Sequence, residues 1–190
     1  MTENFLAKLF EHNNWANLRI MEVCSTLSDE QLDIEPQSAT RGTIRRTLVH
    51  LVSSQYSYLR TLTLPIEERR ESITVDFADL KESITQSGEA LLAFARGERQ
   101  PLSSKLQTRD GYDVEPWVLM VQIINHATEH REQIKSMLTA LEVTAPEIDG
   151  WDWREAQQAL DVPPAKFGRL LTLQDAVRDA ARNWPSAPVV

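Results

Sequence analysis

The sequence is poor in residues that cross-link or punctuate a chain. Of 190 residues, one is cysteine (Cys24), six are glycine and nine are proline. A single cysteine excludes an internal disulfide framework and suits a reducing compartment, so a cytoplasmic protein is expected. Basic residues are outnumbered 20 to 28 by acidic ones, for a net charge of -8. A surface of that sign repels phosphate backbones, so no nucleic-acid partner is expected. No run of about 18 apolar residues occurs, which predicts no membrane span. The opening MTENFLAKLFEHNNW carries charges where a secretion signal needs an apolar stretch. Internal repeats and low-complexity tracts are missing too.

What is present is helical periodicity. With 42% hydrophobic residues the chain can build one domain with a core. From Asn4 to Leu27, Phe5, Leu9, Ala16, Ile20, Val23 and Leu27 recur on one helical face. Ser28 to Gln31 matches a capping box and starts a short turn. Gly42 and Thr43 open a second helix that runs to about Leu64 and stops at Pro65. A third spans about Asp76 to Gly97, with Phe77, Leu80, Ile84, Leu91 and Phe94 as core candidates. Ser103 to Glu115 differs. Its Asp110-Gly111 pair is a hairpin signal. A fourth helix follows from Pro116 to about Leu141. A short helix over Trp151 to Leu160 and a last one over Thr172 to Trp184 complete the pattern. The expected fold is therefore all-α: a four-helix bundle over residues 1–160 with long connections, a small hairpin before the fourth helix, and an extension, 161–190, packed on the same domain.

Two of the four histidines, His126 and His130, lie four apart on the fourth helix, one turn and about 40° from each other. They share a stripe with Leu119, Ile123, Ile134, Met137 and Leu141, while Arg131, Glu132 and Lys135 are expected on the far side. Imidazoles at this spacing on an apolar face can converge on one metal ion, or they can be two buried histidines with separate partners. Glu129 precedes the second histidine, so the arrangement is not that of an HExxH metalloprotease. His50 lies on a stripe of small hydroxylated residues, Thr43, Thr47, Ser54, Ser57 and Thr61. That stripe reads either as a solvated flank or as the wall of a polar groove at the bundle seam. A catalytic-type site needs such a third ligand and leaves a coordination position open. His12, with Asn13 beside it, reads as a core histidine or as a residue of the pocket. Ser54 is a further pocket candidate.

Cys24 reads as core, near a helix C-terminus where the dipole does not favour a thiolate. Glu129 reads either as a residue supporting the metal ligands from behind or as exposed on the helix flank. Tyr56, Tyr58, Tyr112 and Trp117 read as packing residues, the last two also as a pocket rim. Trp117, Met120, Val121 and Ile124 make the first half of the fourth helix apolar on its outer side. Such a helix needs covering on every side, and a symmetric homodimer is one way to provide it.

With these residues placed, the chain resembles the DinB/YfiT-like metalloenzyme superfamily over about Asn4 to Trp153. The stretches that carry the resemblance are HNNWANLRIMEVCSTLSDEQLD, TIRRTLVHLVSSQYSYL, INHATEHREQIKSMLTALEV and PEIDGWDW. The resemblance implies a four-helix bundle with a long crossover. It also implies a divalent metal ion, zinc, nickel or iron, held by His50, His126 and His130. Relatives include thiol-dependent S-transferases and isomerases, so a small-molecule substrate, a low-molecular-weight thiol among the candidates, is expected. Hydrolysis is the other chemistry such a centre supports. A metal-binding or stress-related interaction protein without catalysis is the alternative.

Overall fold

The computed structural model describes residues 4–37, 39, 42–69 and 75–161. The chain divides into two compact units, 1–153 and 154–190. The expected helix at Thr172 to Trp184, and the packing of the extension, lie outside the described residues.

Four long helices form the first unit. Helix α1 (Phe5–Cys24) starts at Asn4, whose side chain accepts from the Ala7 amide at 3.1 Å. A short α2 (Asp29–Asp33) carries the expected capping box between Ser28 and Gln31. Helix α3 (Ile44–Thr63) follows Gly42, whose φ of +87° turns the chain, and is capped by the Thr43 side chain. Pro65 follows its last turn. Helix α4 (Leu80–Ala95) is shorter than the expected third helix, because Phe77–Asp79 form a tighter 3-10 turn at its start. Strands β1 (Leu106–Gln107) and β2 (Asp113–Val114) pair antiparallel, with Leu106 opposite Val114. Gly111, at φ +84°, bends the five-residue connection between them. Helix α5 (Pro116–Ala140) has proline at its first turn. Helix α6 (Gly150–Asp161) begins under a reciprocal cap: Asp149 Oδ1 accepts from the Trp151 and Asp152 amides, and Asp152 accepts from the Asp149 amide.

α1 packs on α4 and α5, and α3 packs on the same two. α1 and α3 therefore stand across the bundle from each other. The start of α1 meets the start of α5 and the ends of α3 and α4 in one apolar cluster that includes Phe10, Leu62, Leu91 and Ile123. The opposite ends meet in a second cluster that includes Ile20, Leu48, Ile84 and Met137. α3 and α4 thus run parallel, and the connection between them must travel the length of the bundle. That is the long crossover the resemblance implied.

Three expected faces are corrected. Phe5 and Leu9 are exposed (74% and 52%), and α1 instead buries Ala7, Phe10, Asn13, Ala16, Asn17, Ile20, Met21 and Cys24. The polar Asn13 and Asn17 belong to the core face, and a template built only on apolar residues is displaced around the helix. Met120 is buried, whereas Trp117 and Val121 remain exposed among the described residues. Arg131 is not on the far side of α5 but 3% exposed in the core.

Candidate metal centre

His50 and the His126/His130 pair come together where α3 and α5 pack side by side. Their ligating nitrogens all lie within 4.8 Å of one another. His126 Nε2 stands 3.2 Å from His50 Nε2 and 3.1 Å from His130 Nε2. The three rings meet at steep angles, with centroids 4.3 to 5.1 Å apart. His130 is buried at 2% exposure; His50 and His126 are half-buried, so the cluster is reachable from outside. The edge of Tyr58 or of His126 meets the other ring, with centroids 5.7 Å apart.

The donor set decides what this cluster fits. The Gln133 Oε1 lies 2.7 Å from His130 Nδ1 and accepts its proton, which leaves a lone pair on Nε2 aimed at the other two rings. One shared proton on His126 can bridge only one of the two short nitrogen contacts. A cation serves all three lone pairs at once. Two nitrogens each about 2.0–2.1 Å from one ion, at angles of about 90–110°, stand about 2.8–3.4 Å apart. The observed 3.1 and 3.2 Å fall inside that window, and the third pair, His50 and His130, lies within 4.8 Å.

The other residues singled out in the sequence go elsewhere. His12 bonds the Ile148 carbonyl at 2.9 Å and packs against Trp15 and Trp153, pinning the segment before α6. It is not brought to the three converging histidines. Asn13 is fully buried and accepts from Arg131. Ser54 is half-buried on α3, and Glu129 is exposed. Cys24 is buried, and burial pushes its thiol up to about 12, so it is no nucleophile near neutral pH. A cavity of about 220 Å³ lined by Met21, Cys24, Leu48, Phe77 and Leu80 lies away from the histidines, none of which lines it.

Sequence reasoning missed two residues. Gln133 shares the inner face of α5 with His130, three positions on, a spacing visible in the sequence. The charge of Arg131 predicts solvent exposure, and the structure buries it. Its guanidinium donates from Nη1 to Asn13 Oδ1 and Asn17 Oδ1, both at 2.7 Å, and from Nη2 to Thr128 Oγ1 at 3.0 Å. Burial pulls it down to about 10, with Glu132 opposing only in part. No Asp or Glu is buried among the described residues.

Residues 1–162 match the family model of the DinB family. The chain belongs to the DinB family. The crystal structure of a protein assigned to that family from Exiguobacterium sibiricum 255-15 is similar to the chain at a TM-score of 0.59 and 19% identity. The match covers 75% of this chain and 94% of that one. At that identity the likeness concerns the bundle alone. No curated protein matches the chain. Membership and the three clustered histidines are together compatible with a divalent metal ion in this DinB-family bundle. No helix among the described residues is long and apolar enough to cross a membrane.

Proposed function

We propose that His50, His126 and His130 bind one divalent metal ion, zinc, nickel or iron, and that the protein is a metal-dependent enzyme acting on a small molecule, by thiol transfer, isomerisation or hydrolysis. The observation that carries this is the convergence of three imidazole nitrogens, two of them on half-buried rings, with no cysteine or carboxylate grouped with them among the described residues. Three neutral ligands that leave a position open are the pattern of catalytic rather than structural centres.

Each residue has a role in this reading. His130 is the buried anchor, oriented by Gln133. His50 and His126 complete the ligand set from the side open to solvent. Tyr58 flanks His126 and limits what approaches it. When bound, the ion supplies Lewis acidity, which turns a thiol or water into a nucleophile near neutral pH. The cavity beside Cys24 and Phe77 lies away from the cluster, and this favours a second reading in which the ion is bound without catalysis. A symmetric dimer, with Trp117 and Val121 at its contact, belongs to the proposal; a monomeric mass at micromolar concentration removes it.

Elemental analysis of protein purified without an affinity tag, wild type beside His126→Ala, tests the metal. About one equivalent in wild type and none in the variant is expected. No metal in wild type after incubation with zinc, nickel or iron overturns the proposal. Thiol-transfer and hydrolysis assays on the loaded protein then separate enzyme from binder.

A further inference from the structure

The two apolar clusters of the bundle are separated by a layer of polar side chains at the height of the histidines. Asn13 and Asn17 of α1, Gln55 of α3, Ser87 of α4 and Arg131 of α5 are all buried. They form one chain of hydrogen bonds. Arg131 holds both asparagine oxygens. Asn17 Nδ2 donates to Gln55 Oε1 at 3.4 Å, across the bundle from α1 to α3. Gln55 Nε2 donates to Ser87 Oγ at 2.8 Å and to the Ile84 carbonyl at 3.3 Å. Ser87 in turn donates to the Ser83 carbonyl at 2.7 Å.

The chain touches both helices that present histidines, close to the ligands themselves. Arg131 follows His130 directly, and Gln55 lies five residues beyond His50. Apolar packing holds a helix to its buried face but is not directional, so it tolerates shifts of a few tenths of an ångström along or about the axis at little cost. Hydrogen bonds to a planar guanidinium are directional, and the two donations from Nη1 fix α5 both in height and in rotation against α1. The longer bond from Asn17 to Gln55 links α3 to the same layer, and the 2.8 Å bond from Gln55 to Ser87 ties α3 to α4. The nitrogens of His50, His126 and His130 must meet within tenths of an ångström, and apolar clusters above and below do not set that register.

We infer that Arg131 is a positioning residue for the histidine cluster, acting through Asn13, Asn17 and Gln55 to hold α3 and α5 in the register that lets three imidazoles share one ion. The inference rests on the metal binding proposed above. Charge alone predicts the opposite sign. Arg131 is a buried cation with no buried carboxylate among the described residues, so on charge alone its removal relieves repulsion of a divalent ion and strengthens binding. The positioning role predicts that its removal weakens binding.

The test is Co(II) titration of the metal-stripped protein, followed by visible absorption and by competition with a chromogenic chelator. Wild type is compared with Arg131→Met, Arg131→Lys and Leu138→Ala. Arg131→Lys keeps the charge but not the fork, and serves alone if the methionine variant does not fold. Leu138 is fully buried on α5 outside the polar layer, so its truncation costs stability without touching the register. We expect both Arg131 variants to weaken Co(II) binding, Arg131→Met by about 10- to 100-fold, the range for residues that orient ligands. Their absorption bands shift, while Leu138→Ala stays within about twofold of wild type. Arg131 variants that bind as wild type does or more tightly, or equal weakening by Leu138→Ala, overturn the inference and leave the metal site standing. A wild type that takes up no cobalt overturns both.

Discussion

Gln133 Oε1 stands 2.7 Å from His130 Nδ1, one helical turn along α5. This contact selects the tautomer that puts the His130 lone pair on Nε2. Gln133→Leu leaves the ring free to rotate and to hold its proton on either nitrogen. Metal affinity should fall about 10- to 100-fold. Gln133→Glu accepts the same proton with a stronger acceptor and should bind at least as tightly as wild type. Chelator competition on both variants checks the pair, and equal affinity in all three proteins dismisses the role.

The Asn13 side-chain amide nitrogen is buried with no hydrogen-bond partner among the described residues, while its oxygen accepts from Arg131. Asn13→Asp removes the orphaned donor and gives Arg131 a carboxylate. At pH 7 the variant should be more stable by about 1 kcal/mol, the charge-assisted bond to an already buried guanidinium outweighing the desolvation of one carboxylate. The expected gain requires the Arg131 charge to outweigh the burial of the new carboxyl and hold it below its unfolded value. The gain is therefore present above the ordinary carboxylate range and lost as pH falls through the folded-state value. Urea denaturation at pH 7 and pH 4 measures it, and a variant less stable than wild type at pH 7 contradicts it.

Cys24, with its thiol pushed up to about 12 by burial, should not react with a thiol-specific disulfide reagent in the native protein. One equivalent should react at once in guanidinium. Rapid labelling without denaturant would place the thiol outside the core.

Burial pushes the Glu11 carboxyl up, but the hydrogen bonds and charges of Lys8 and Arg96 outweigh it and hold it below the ordinary value. Glu11 bridges α1 to Arg96, just past the end of α4. Because the folded value is depressed, its contribution is present above the unfolded carboxylate value and disappears as pH falls through the folded one. Glu11→Gln should cost no more than about 1 kcal/mol at pH 7, since the bridges are near the surface, and less at pH 3, as the carboxyl takes up its proton. Thermal unfolding at both values reads this, and a loss that persists in acid points to packing instead.

Much of this architecture can be read before folding. Pro65, Pro116 and the Ser28 capping box mark their elements within a residue or two, because they act through local backbone chemistry. The His126/His130 pair is legible for the same reason: spacing along one helix fixes its geometry. His50 needed the family resemblance, since nothing local says which helix will stand beside α5. The burial of Arg131 and Asn17 is not legible locally, because composition assigns charge and amide to solvent. Their burial follows only from each other, 114 residues apart in sequence. A pair of asparagines four apart on a helix face that is otherwise apolar, opposite an arginine in the same layer, is the signal to look for.

The contact between His50 and His126 spans 76 positions of the chain, and all of α4 lies between them. No contiguous fragment lacking either α3 or α5 carries the full cluster. An ion on these three rings would thus act as a clasp between distant parts of the sequence, closing a long loop late in folding. Its binding free energy would add to the stability of the whole bundle, in proportion to the logarithm of free metal. The midpoint of unfolding then becomes a gauge of metal supply.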